Sequence, residues 1–135
     1  MVAHLNIPSI SEEGLPTSLS KEVIQGILKK DLGFKGLIVT DALNMKGVTQ
    51  YSKNKNIDLI AFLAGHDILI ISNNIPEGVQ AITKAYKKGI ISEKRLSHSV
   101  KKSFGHSGYT GTYAWADPKK EIIIIILANR TYPND

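Results

Sequence analysis

The sequence predicts an α/β fold: three parallel βα units followed by an antiparallel β-hairpin. Three observations carry this expectation. Short apolar runs alternate with segments of helical spacing through the first hundred residues. Those runs are apolar almost throughout, as befits parallel strands covered on both faces. After residue 103 the chain turns rich in Gly, Thr and aromatics, and five consecutive isoleucines follow a Pro-containing turn.

The elements follow in order. Residues 1–5, MVAHL, read as a first short strand, and a loop with Pro8, Gly14 and Pro16 follows. Ser20 is a helix N-cap, with Glu22 in the first turn. Val23, Ile24, Ile27 and Leu28 recur at helical spacing, and Gly33 stops the helix. The second strand spans residues 37–40. A helix over 57–64 places Ile57, Ile60, Ala61 and Ala64 on one face, with Gly65 behind it. The third strand is 68–71. Pro76 opens the next helix, which carries Val79, Ile82 and Tyr86, and Gly89 breaks it. Ser92 caps a short basic helix with Leu96 and Val100. Residues 104–117 and the apolar strand 121–128 then flank a turn at 117–120, which makes a hairpin.

Composition narrows the function classes. The 135 residues suffice for one domain, and 42% are hydrophobic. The net charge of +5 comes from 17 Lys and Arg against 12 Asp and Glu. Much of it lies in pairs: Lys29-Lys30, Lys87-Lys88, Lys101-Lys102 and Lys119-Lys120. Such pairs near helix ends are solvated and suit the helix dipole. No contiguous basic stripe with interleaved aromatics is present, so nucleic acid is not an expected partner. There are no cysteines, hence no disulfides and no thiolate metal sites. The opening MVAHLNIPSI lacks the basic region and apolar core of a signal peptide. The apolar run 122–128 is too short to span a bilayer, and the chain reads as soluble.

The segment 36–45, GLIVTDALNM, holds the main chemical candidate. A buried strand that ends in a carboxylate is unusual, because an acid is rarely buried without a partner or a task. Asp41 is either an N-cap for the segment starting at Ala42, or a nucleophile or general base at a strand end.

Residues 2–102 resemble the catalytic barrel of glycoside hydrolase family 3, in its β-N-acetylglucosaminidase (hexosaminidase) branch. The likeness rests on VAHLNIPSI, LPTSLS, KKDLGFKGLIVTDALNM and the AGHDILI strand with its helix. The resemblance implies a partial TIM-barrel sheet and retaining hydrolysis of terminal β-linked N-acetylglucosamine, with no cofactor and no metal. It implies that Asp41 is the nucleophile, at the end of the seventh barrel strand. A retaining glycosidase also needs a second group to protonate the leaving oxygen. In this branch that group is a His paired with an Asp on an upstream loop, which the sequence does not include. Among the histidines, His4 in the first strand is the candidate for touching substrate. His66 precedes the third strand and is expected at the opposite face, solvated or at the strand entry. His98 is expected on an exposed basic face.

Residues 104–133 resemble the C-terminal part of β-lactamase-like, penicillin-binding serine hydrolases. His106-Ser107-Gly108 matches their strand triplet H-x-G. The S-x-x-K nucleophile motif has one formal match, Ser18-Leu19-Ser20-Lys21, which reads as a helix cap. The tail would then be one wall of a site without its nucleophile, with His106 an ordinary strand residue. The expected organisation is a barrel fragment, 1–102, joined to a hairpin fragment, 103–135. Proteins that carry both families intact would be bacterial and periplasmic or secreted, and this chain would be a fragment or misjoined remnant of one. Three of eight barrel strands leave open apolar edges, so self-association or aggregation is expected.

Overall fold

The computed structural model describes residues 1–51, 55–102, 106–107, 112–117 and 122–127. The chain divides into two compact units, Met1–Glu93 and Lys94–Asp135.

The first unit is built on two parallel strands, β1 (Val39–Ala42) and β2 (Ile68–Ile70). Ahead of them lie a single 3-10 turn, Thr17–Leu19, and a wide-turned π-helix, Glu22–Asp31. Ser20 is extended, and its hydroxyl accepts from the Val23 amide at 3.3 Å, the capping role its sequence position predicts. Gly33 follows the helix at φ 64°, where a side chain would strain the backbone. Between the strands lie α1 (Lys46–Thr49) and α2 (Ile57–Ala64). Asn56 caps α2 by accepting from the Leu59 amide at 2.9 Å, and Gly65 ends it at φ 127°. α3 (Ile75–Lys87) is capped by Asn74 and has Pro76 in its first turn.

The core forms where α2 and the N-terminal segments cover the sheet. Leu15, Leu19, Leu43, Val48 and Ala61 make one buried cluster. Ile24, Ile38 and Ala64 make another, with Val2, Val23 and Leu28 packed around it. Each fully buried aliphatic side chain of this size contributes roughly 1.5–3 kcal/mol. Gly65 is needed for the close approach: a Cβ there would lie 2.9 Å from the Ile24 Cγ2.

The expected first strand is reduced to one parallel bridge, Val2 to Thr40. The reason lies in the following loop. Thr17 takes the backbone groups a strand partner would need: its hydroxyl donates to the Ala3 carbonyl at 2.8 Å and accepts from the Leu5 amide at 3.2 Å. Its amide donates to the Leu5 carbonyl at 2.8 Å. The parallel sheet therefore has two strands instead of three. β1 also begins two residues later than the apolar run predicts and continues through Asp41.

In the second unit, α4 (Glu93–Lys102) begins at the boundary and groups with the antiparallel strands. β3 (His106–Ser107), β4 (Thr112–Asp117) and β5 (Ile122–Leu127) form a sheet in the order β3-β4-β5. The β4–β5 register runs from Thr112 opposite Leu127 to Asp117 opposite Ile122. Antiparallel pairing thus involves three strands, one more than the expected hairpin. Gly108 and the turn residues 118–120 lie outside the described residues.

Candidate active site

Asp41 is the third of four residues in β1, toward the carboxyl end of the parallel pair. The strand is irregular at this point. Val39 pairs with Ile68 and Ala42 with Ile70, so three steps on β1 face two on β2. An extra residue of this kind is a β-bulge, a device that re-aims a side chain and often adjoins a functional site. Thr40 absorbs the interruption. It is fully buried, and its Oγ1 accepts from the Ile70 amide at 2.9 Å, a rung that a backbone carbonyl would ordinarily fill. On the other edge, the Val2 amide donates to the Val39 carbonyl at 2.9 Å and the Asp41 amide to the Val2 carbonyl at 3.1 Å.

The Asp41 side chain is half-buried, and its Oδ1 accepts from the Ala42 amide at 2.8 Å. The alternative role as an N-cap is excluded by the helix positions. α1 starts at Lys46 with Met45 at its cap, well beyond the segment Asp41 would have capped. Close by, Ile71 leaves β2 with φ 46° and is 58% exposed. A β-branched residue in the left-handed region costs roughly 1–2 kcal/mol, so backbone strain is concentrated at this rim.

Two histidines meet at Ser18. His4 is half-buried, with Nδ1 2.6 Å from the Ser18 hydroxyl and Nε2 3.0 Å from the Ala42 carbonyl. Both of its ring nitrogens are therefore engaged within the protein. His66 is fully buried just ahead of β2, so of its two expected settings the solvated one is corrected and the strand entry stands. Its Nε2 donates to the Ser18 carbonyl at 2.7 Å. Burial pushes this imidazole down to about 4, against the raising effect of that hydrogen bond and of Asp67. His98 is exposed, as its place on the basic helix predicts. His106 and Ser107 pair with Ala114 and Tyr113 in the other unit.

Sequence reasoning missed Ser18, Thr40 and Asp58. Ser18 stands in the hydroxyl-rich TSLS, which a cap accounts for equally well, and Thr40 ends an apolar run, where β-propensity accounts for it. Asp58, in the first turn of α2, is 8% exposed and accepts from the Ser72 hydroxyl at 2.8 Å. Burial raises its carboxyl above the usual range. Among the described residues, no group of three or more His, Cys, Asp or Glu side chains is placed to hold a metal ion. No helix among them is long and apolar enough to cross a membrane.

Residues 1–104 match the profile of the glycosyl hydrolase family 3 N terminal domain. The chain belongs to glycosyl hydrolase family 3. A beta-hexosaminidase of Neisseria meningitidis is 32% identical over 87 residues, covering 64% of this chain and 23% of the relative. A beta-N-acetylglucosaminidase/beta-glucosidase of Cellulomonas fimi is 26% identical over 109 residues, covering 74% and 19%. Among solved structures, a family 3 beta-N-acetylglucosaminidase from Paenibacillus sp. superposes with a TM-score of 0.62 at 33% identity, covering 70% of this chain and 19% of that one. The chain thus spans about a fifth of the length of these relatives. The similarity of residues 104–133 to β-lactamase-like hydrolases gains no support from these matches, and the family profile ends at 104.

Proposed function

We propose that this family 3 domain carries the nucleophile half of a retaining β-N-acetylhexosaminidase site, and that Asp41 is the nucleophile. The observation that carries the reading is the place of Asp41 at the carboxyl end of β1, at a register shift and with its amide bound to Val2 and its Oδ1 to the Ala42 amide. A rigid strand end aims a carboxylate better than a loop does. The Asp41 carboxylate attacks the anomeric carbon of a terminal β-linked N-acetylglucosamine, and the aglycone leaves with the bonding electron pair. Water then cleaves the glycosyl ester and restores the carboxylate.

No described side chain pairs with Asp41 as a leaving-group acid, so natural glycosides turn over slowly in the isolated chain. A dinitrophenyl aglycone needs no protonation and bypasses that lack. The test is dinitrophenolate release from a dinitrophenyl N-acetyl-β-glucosaminide by the wild-type chain and by Asp41→Asn. A burst in the wild type that Asp41→Asn slows by about a thousandfold supports the reading. Equal release by both, or none above background, overturns it.

A second reading is a non-catalytic chain that self-associates. It draws on an apolar groove of about 460 Å3 lined by Met1, Leu5, Ile27, Leu32 and Phe34. Of these, Met1 and Leu32 are 81% and 72% exposed, more than a settled monomer surface favours.

A further inference from the structure

We propose that His4 is a positioning residue. Its imidazole, held by Ser18, binds the carbonyl of Ala42, the residue whose amide holds the Asp41 carboxylate, and so helps to set the direction of that carboxylate. The inference rests on the reading of Asp41 as the nucleophile, and it gives His4 a role the family match does not assign.

The donor logic is fixed by the partners. The Ala42 carbonyl can only accept, so His4 Nε2 carries the hydrogen. In the neutral ring Nδ1 is then bare and accepts from the Ser18 hydroxyl. The Ser18 carbonyl takes the hydrogen of His66 Nε2. A chain of three hydrogen bonds therefore runs from His66 through Ser18 and His4 to Ala42. Its starting end is well anchored: His66 and Ser18 are both fully buried. Ser18 cannot shift without breaking bonds to two rings.

The end of that chain lies where the sheet needs it. The parallel bridge on this edge stops at Val2. Two residues on, the His4 side chain continues it with a ring N–H in place of a backbone rung. Beyond the bulge, the Ala42 amide is bound to Asp41 Oδ1, the Ala42 carbonyl to His4, and the Leu43 amide to the Ile70 carbonyl at 2.9 Å. Three consecutive polar groups after Asp41 are thus held from three directions. If the His4 bond is removed, the Ala42–Leu43 peptide is tied at its amide end alone, and the neighbouring peptide, whose Ala42 amide binds Asp41 Oδ1, loses the support that fixes its orientation. With both ring nitrogens engaged here, His4 acts through the backbone and not on the sugar.

The test uses the full chain labelled with nitrogen-15 at neutral pH. Long-range imidazole spectra of the wild type are expected to show His4 protonated at Nε2 and bare at Nδ1. Protonation at Nδ1 alone overturns the proposal. Amide exchange is then compared at Ala42, Leu43 and the α2 amides. His4→Phe is expected to speed exchange at Ala42 and Leu43 about tenfold, the loss of one partly buried hydrogen bond, with α2 unchanged. His4→Gln, whose side-chain amide reaches the Nε2 position, is expected to restore protection to within about twofold. Uniform loss across α2 as well, or no rescue by Gln, means that His4 only fills space and overturns the proposal. If His4→Phe does not fold, Ser18→Ala decides: without the hydroxyl that holds the ring, exchange at Ala42 and Leu43 is expected to quicken severalfold with α2 unchanged, and unchanged exchange at both amides refutes the relay. None of these readouts involves turnover, so failure here and failure of the Asp41 reading are separate results.

Discussion

Lowering the pH should destabilise the first unit through His66. The ring is 0% exposed, and burial holds it at about 4 against 6.5 in an open chain. Lys29 and His4 add to the lowering, while the Ser18 carbonyl and Asp67 oppose it. Above 6.5 the ring is neutral in both states and its contribution is complete. As pH falls below 6.5, the unfolded chain binds a proton that the folded one refuses, and stability drops. The loss levels off near pH 4, where the folded ring also protonates. The window is worth about 3 kcal/mol, a large share of the 5–15 kcal/mol that hold a typical domain. The assay is urea unfolding followed by circular dichroism between pH 7.5 and 4, for the wild type and for His66→Gln, which keeps a donor for the Ser18 carbonyl. All other ionisable groups are common to both proteins and cancel in the difference. The wild type should lose about 3 kcal/mol more than the variant across this range. Parallel profiles, or a His66 ring resonance that titrates near 6.5, would refute the reasoning.

Three further outcomes are expected. Gly65→Ala should cost roughly 2–4 kcal/mol in urea unfolding, because it places a Cβ at φ 127° and 2.9 Å from Ile24; a loss under about 0.5 kcal/mol would contradict the packing described. Thr40→Val should cost about 1–3 kcal/mol and expose the Ile70 amide to exchange, since the methyl group cannot accept its hydrogen; protection equal to wild type would show that the bulge is not bridged by the hydroxyl. Sizing chromatography at rising concentration should show larger species, diminished by Leu32→Glu and Phe34→Glu in the apolar groove; a concentration-independent monomer would remove the self-association reading.

Much of the first unit was legible in the sequence. The helix over 57–64 was placed by its apolar face and by Gly65, and α3 by Pro76. Gly33 and Gly89 end their helices with positive φ, as glycines after periodic segments do. What was hidden depended on contacts far apart in the chain. Nothing in MVAHL says that Thr17 will take the bonds of Ala3 and Leu5 and cut the strand to one bridge. The bulge at Thr40–Asp41 was equally hidden, since it is set by register against Ile68 and Ile70, not by local propensity. The burial of His66 at the entry of β2 was hidden because it comes from the Ser18 segment, 48 positions earlier. Asp41 itself was visible as a carboxylate closing an apolar run, although the residues that hold it were not.

The most direct measurement on the central claim is trapping. The wild-type chain is incubated with a fluorinated N-acetylglucosaminyl fluoride, whose fluoride departs without an acid and whose glycosyl ester hydrolyses slowly. Peptide mass mapping should find the sugar on Asp41 alone and none on the Asp41→Asn chain. Adduct at another residue, equal labelling of Asp41→Asn, or no adduct at all would contradict the account.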